Sequence, residues 1–152
     1  METLDPRVRL VWIGGALVTA AVLAVLGFGV RRFGVPFPEA AIVAVVALAA
    51  VVGVVLALLR YRVWRFEVRG DSLYLVRGVL TRTDTSVPFV RVQHVDTRRG
   101  PVERAVGLAS VVVYTAGTRG ADITIPGLTP ERARTLRERL RDLATESELD
   151  AV

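Results

Sequence analysis

The stretch HVDTRRG, residues 94–100, gathers the one histidine of the chain, an aspartate two positions later and a pair of arginines. An imidazole, a carboxylate and guanidinium groups can move protons and hold oxyanions, so His94, Asp96, Arg98 and Arg99 are where acid–base chemistry would first be sought. A working site also needs a nucleophile or metal ligands at useful spacing, and neither accompanies His94. The chain has no cysteine, which removes thiolate catalysis, disulfides and zinc–cysteine sites. Strand alternation puts His94 and Asp96 on one face and Gln93, Val95 and Thr97 on the other. Val92 and Val95 stand three apart, so a bulge or bend is expected between them. HVDTRRG therefore reads as strand followed by turn; no catalytic residue, cofactor or metal is assigned.

The elements that would position this stretch fall into two unlike parts. Leu10 to Val30 gives 21 residues without a charge, and Ala40 to Leu59 gives another 20. At 1.5 Å per residue each can cross a hydrocarbon core of about 30 Å. The first is longer than the apolar region of a signal peptide and a second follows at once, so two anchoring helices are the favoured reading over cleavage near Gly27-Phe28-Gly29. The connector RRFGVPFPE, residues 31–39, is too short for a domain and reads as the turn of a helical hairpin. Arg7 and Arg9 precede the hairpin, and Arg60, Arg62, Arg65 and Arg69 follow it, against Arg31 and Arg32 in the connector. The excess of arginine predicts that both termini lie in the cytoplasm; a plasma (inner) membrane is the expected location. Trp12, Tyr61 and Trp64 are placed to sit at the same membrane–water interface.

Thr19 is the sole polar side chain in either span, and no ionisable group lies inside. Transporters, channels and proton relays need such groups, so these classes are disfavoured. Small residues recur every four positions: Ala16, Ala20 and Ala24 on the first helix, Ala49, Gly53 and Ala57 on the second. Such stripes allow close helix packing, within the hairpin or between chains. Alanine-rich composition produces the same spacing by chance, and that reading stays open.

All 20 basic residues are arginine, and the net charge is +5. Acids are interleaved with them and no aromatic–basic stacking motif accompanies them, so nucleic acid is not expected as a partner. Residues 60–127 hold 11 Arg against 6 acids, a balance suited to facing anionic lipid headgroups.

After Leu59 the period changes. Trp64, Phe66 and Val68 alternate with Arg65, Glu67 and Arg69, the pattern of a half-buried strand. SLYLVRG, VLTRTDTSVPF, VRVQHVDT, LASVVVYTAG and ADITIPG supply further short strands, six or seven in all, which predicts a compact antiparallel sheet or barrel. Pro101 to Val106 allows one short helical turn before Gly107, with Glu103 pairing locally or capping. LTPERARTLRERLRDLATE closes the sequence as an amphipathic helix. Thr129 is its N-cap, Pro130 its first residue, and Ala133, Leu136, Leu140 and Leu143 its apolar face. From Glu146 onward the chain is expected to fray.

Strands closed by one C-terminal helix follow the chain order of a pleckstrin-homology (PH) domain. The stretch RVQHVDTRRGPVERAVGLASVVVYTAG, residues 91–117, resembles the signature of the bacterial PH-domain family, in its small membrane-anchored YdbS-like branch. The resemblance implies two N-terminal transmembrane helices (10–30 and 40–59, outside loop 31–39) after a cytoplasmic N-terminus (1–9). An α+β PH-like domain over 60–145 and a frayed end, 146–152, would follow. Lysine, common in such proteins, is replaced throughout by arginine. The family also implies a PH-like sheet that binds protein, either another PH-domain membrane protein or further copies of the chain. The function expected is thus a non-catalytic interaction or assembly module. The alternative is an anionic-lipid surface sensor, with Arg60, Arg62, Arg65, Arg98 and Arg99 as headgroup contacts. Plain solvated charge explains the same arginines, and a fold-forming corner explains GPVER.

Overall fold

The computed structural model describes residues 1–117 and 122–150. A short strand, β1 (Glu2–Thr3), leads into helix α1 (Val8–Arg32), a turn, and helix α2 (Glu39–Val63). Strands β2 (Arg65–Val68), β3 (Ser72–Arg77) and β4 (Thr83–Pro88) follow, then a 3-10 turn (Phe89–Arg91) and β5 (Val92–Arg98). Helix α3 (Pro101–Val106), strands β6 (Ala109–Thr115) and β7 (Ile123–Leu128), and helix α4 (Pro130–Asp150) complete the chain. Ala121 of the expected ADITIPG strand and the last two residues of the expected frayed end lie outside the described residues. The helix itself runs to Asp150, past Glu146.

Each apolar helix has 25 residues, about 37 Å of rise, and is long and apolar enough to cross a membrane. Helical pairing satisfies every backbone group inside the segment, which a hydrocarbon surrounding demands even of a valine-rich sequence. The helices run antiparallel at close range. A Cβ added at Gly53 would fall 2.7 Å from the Ala16 Cβ, and one at Gly27 would fall 2.7 Å from Ile42 Cγ2. Four residues along from the Ala16–Gly53 contact the same register faces Ala20 with Ala49. Ala20 and Ala57 are buried, and Ala24 and Ala49 half-buried. The small residues are therefore turned toward the partner helix of the same hairpin.

The strands form two antiparallel sheets, β1-β2-β3-β4 and β5-β6-β7. In the first, Phe66 pairs with Leu75 and Leu75 with Thr85. Phe66, Leu73 and Leu75 turn inward and are almost wholly buried. Strand β6 is central in the second sheet, and its run Ala109–Val113 is buried without alternation, as a strand covered on both faces must be. Between Val92 and His94 the β5–β6 register shifts, the bulge expected from the spacing of Val92 and Val95. Helix α4 lays Ala133, Leu136, Leu140 and Ala144 into the core. The Thr129 hydroxyl accepts from the Arg132 N–H at 3.3 Å as its cap.

Two placements differ from the sequence expectation. Residues 1–9, expected only as a cytoplasmic N-terminus, are part of the folded domain: β1 pairs with β2, and Leu4 and Val8 enter the core. Trp64 is not an interfacial anchor but a core residue, 3% exposed and edge-on to Phe66 at 6.4 Å. Alternating apolar residues read Trp64 as strand and proximity to the span read it as interface; burial against Phe66 outweighs the second.

Together these residues weld the helical hairpin to the sheets. The Asp5 N–H donates to the Gly127 carbonyl at 2.7 Å. Tyr61 donates its hydroxyl to Leu4 O at 3.2 Å, and Arg132 reaches Glu2 at 3.2 Å and Thr3 O at 3.1 Å. Gly127 lies in the left-handed region (φ +65°), and its missing Cβ leaves room for Val8. Burial pushes the Asp5 carboxyl up, but the Arg7 backbone N–H and guanidinium, with Arg132 nearby, hold it below the usual carboxylate range.

Candidate membrane-facing site

Where the helices meet the sheets, two stacked pairs ring the hairpin. The Arg60 guanidinium lies 4.4 Å from the Trp12 ring centre, and that of Arg9 lies 4.9 Å from the Tyr61 ring. Arg–aromatic pairs combine apolar bodies with charged tips, which suits the boundary between hydrocarbon and water. Beyond this ring toward the spans stands the β3–β4 turn, residues 78–82. Gly78 has φ +95°, and a Cβ there would lie 2.0 Å from the Thr81 carbonyl oxygen, so only glycine closes the turn. The turn carries Val79 and Leu80, the latter 91% exposed, between Arg77 and Arg82. It flanks a groove of about 620 Å³ whose other wall includes Trp12, Gly15, Gly53 and Leu56 of the helices. On the sheet side of Arg60 lies a second groove, about 640 Å³, lined by Arg60, Arg77, Thr83, Asp122 and Thr124 among others.

The arginines singled out in the sequence separate into two groups. Arg60, Arg62 and Arg65 are exposed at the helix–sheet junction, Arg60 engaged with Trp12. Arg98 and Arg99 are exposed at the end of β5 that leads into α3. Arg99 Nε donates to the Leu108 carbonyl at 3.3 Å, which gives it a structural task. The α3 corner is tied to the base of α1, since Arg7 Nη1 donates to the Val106 carbonyl at 3.2 Å. Both groups therefore stand at the end of the domain nearest the spans, one at the α2–β2 junction and the other where β5 leads into α3.

Glu103 is the hinge of the GPVER corner. Its carboxylate accepts from the Gly100 N–H at 2.7 Å, and its other oxygen accepts from the buried Ser110 hydroxyl. Gly107, at φ +70°, ends α3 and sits against the Arg7 guanidinium. The corner is built to hold the fold.

His94 lies elsewhere, toward the opposite end of β5. Its ring stacks on Tyr114 with centroids 4.1 Å apart, and its Nε2 is 4.0 Å from Asp96 Oδ2 with both side chains more than half exposed. The distance is beyond a hydrogen bond, and no nucleophile joins the pair. Arg137 and Arg141 of α4 face it across a groove of about 350 Å³. Among the described residues no group of three or more His, Asp or Glu side chains gathers to hold a metal.

Sequence reasoning passed over Arg77, Val79 and Leu80. The available signal was two apolar residues at a hairpin tip between arginines, where polar residues are the rule.

Comparison with known proteins agrees with this architecture. The family model described as "Bacterial PH domain" matches residues 9–144. The UPF0699 transmembrane protein YdbS of Bacillus subtilis (strain 168) is 41% identical over 85 residues, which cover 56% of this chain and 52% of that protein. The match thus spans about half the length of that relative. No solved structure matches. With two apolar helices feeding a pair of antiparallel sheets and a closing helix, and a family match over nearly all of it, this membrane protein belongs to the bacterial PH domain family.

Proposed function

We propose that the protein is a non-catalytic assembly module of a prokaryotic plasma membrane. Its helical hairpin spans the bilayer with both termini cytoplasmic, and its PH-like sheets are offered to a protein partner. The observation that carries this reading is the weld through Leu4, Asp5 and Val8, which fixes the sheets relative to the anchor. Strand β4 is thereby held at one height beside the membrane. Among the described strands it pairs on one side only, and its other edge carries unpaired backbone groups. Such an edge is a template for a strand of another chain. A second copy, or another PH-domain membrane protein fixed in the same plane, would meet it at matching height. The arginine excess on the sheet side of the hairpin supports the orientation.

The chain's lack of cysteine makes the test clean. Ser86→Cys on β4 is oxidised in native membranes, and crosslinked partners are identified after mild solubilisation. Disulfide-linked pairs of differently tagged copies, or links to a cysteine of another membrane protein, are expected. A protein that stays monomeric and uncrosslinked refutes the reading. Leu149→Cys should resist an impermeant maleimide added outside intact cells; labelling there would reverse the topology.

A second reading, surface sensing of anionic lipid, is favoured by the exposure of Arg62, Arg65 and Arg98 beside the spans. Protease accessibility of the domain in full-length protein would then fall in anionic relative to zwitterionic nanodiscs, and salt would reverse the difference. Unchanged accessibility removes this reading.

A further inference from the structure

The two grooves flanking Arg60 differ sharply in lining yet share a wall. The larger part of the first is apolar, with Gly15, Gly53 and Leu56 of the spans on one side and Val79 and Leu80 of the β3–β4 turn on the other. The second presents the guanidinium groups of Arg60 and Arg77, the hydroxyls of Thr83 and Thr124, and the Asp122 carboxylate. Arg60, Gly78 and Val79 belong to both. Each lies within the roughly 300–1,000 Å³ typical of ligand sites. The apolar groove begins on the hydrocarbon side of the Arg9–Tyr61 and Arg60–Trp12 ring, and the polar groove on the water side.

We propose that the two grooves are one binding site for a single glycerophospholipid of the leaflet nearest the sheets. Its phosphate lies between Arg60 and Arg77, and an acyl chain lies along Gly15, Gly53 and Leu56. The chemistry follows the order of the lining. A phospholipid is apolar, then anionic, then polar along its length, and so is this surface from the spans to the sheets. Arg60, fixed against Trp12, presents its charge at the boundary without further ordering. Thr83 and Thr124 donate hydroxyls to phosphate oxygens. Asp122 accepts from an ammonium or hydroxyl of the headgroup, which favours ethanolamine or glycerol over choline. Gly15 carries the cavity: a Cβ there would meet nothing within 4 Å. The site is continuous with the bilayer, so its ligand enters by lateral diffusion.

The test uses the full chain, purified in mild detergent and examined by native mass spectrometry after exposure to phosphatidylglycerol, phosphatidylethanolamine or phosphatidylcholine. Wild type should retain one phospholipid per chain, with choline the weakest. Gly15→Leu puts a side chain into the apolar half at a position where its Cβ meets nothing within 4 Å, and Arg77→Glu reverses charge at a side chain that makes no ion pair among the described residues. Each should lower retention at least tenfold while Arg134→Glu, on the exposed side of α4, leaves it unchanged. Inorganic phosphate should not displace the bound lipid. Circular dichroism and the urea-unfolding midpoint verify that each variant is folded, and either variant alone suffices. Wild type that retains no lipid, folded variants that retain as much as wild type, or displacement by phosphate overturns the proposal.

Discussion

Replacing Gly127 by alanine tests how firmly the anchor is welded to the sheets. Two costs add there. The backbone sits at φ +65°, which an L-residue adopts at a penalty of about 1–2 kcal/mol. The new Cβ would also stand 2.8 Å from the Val8 Cβ and Cγ2, closer than real Cβ contacts come. Overpacking of that kind costs about 1–3 kcal/mol, because Val8 is buried at the base of α1 and cannot swing away. The sum is about 2–5 kcal/mol. Val8→Ala alone loses two buried carbons, about 1.5 kcal/mol at the usual value per methylene, and more if a cavity remains. In the double variant the contact with Cγ2 is relieved, but the 2.8 Å approach to the Cβ that alanine keeps at position 8 persists, as does the backbone strain. The double should therefore be more stable than the sum of singles by only part of the overpacking cost, about 1 kcal/mol or less. Urea unfolding in detergent micelles, followed by tryptophan fluorescence in a Trp12→Phe background so that buried Trp64 alone reports, reads all four proteins with a common slope. Gly127→Ala within about 0.5 kcal/mol of wild type would refute the contact between the N-terminal segment and β7.

The GPVER corner gives a second prediction. Glu103→Ala strands the Gly100 N–H and the buried Ser110 hydroxyl and should destabilise by about 2–3 kcal/mol, whereas Glu103→Gln should lose about half as much; equal losses in the same urea assay would reject the double acceptor role. For the β3–β4 turn, a spin label on Leu80→Cys in nanodiscs should be more accessible to oxygen than to a water-soluble nickel chelate. A label on Val90→Cys should show the reverse, and the same water-like pattern at both positions would remove the turn from the membrane interface.

Much of this architecture could be read from local patterns. Uncharged runs of 21 and 20 residues mark the spans because no globular core demands such length. The alternation around Phe66 marks β2, and Thr129-Pro130 marks the start of α4, because strand pleat and helix cap act within a few residues. What escaped depends on contacts distant in sequence. Glu2–Thr3 is too short to show a period, and it becomes a strand only because β2 offers an edge. Trp64 carries both an interfacial and a core signature, and only the packing of Phe66 decides between them. The groove at Arg60 joins residues 15, 53, 77 and 124, which no window of sequence contains. The bulge in β5 was legible, since Val92 and Val95 must share a face although three residues apart.

The most direct measurement of the central claim, that anchor and sheets move as one body, is the distance between two labels in nanodiscs. Val18→Cys on the exposed side of α1 and Arg141→Cys on α4, in a chain free of other cysteines, would be examined by pulsed dipolar electron resonance. One narrow distance distribution is predicted, broadened by Leu4→Ser, which breaks the apolar contact of the N-terminal segment with the core. A broad distribution in the unaltered double-cysteine protein would contradict the account, for the sheets would then swing freely on their anchor.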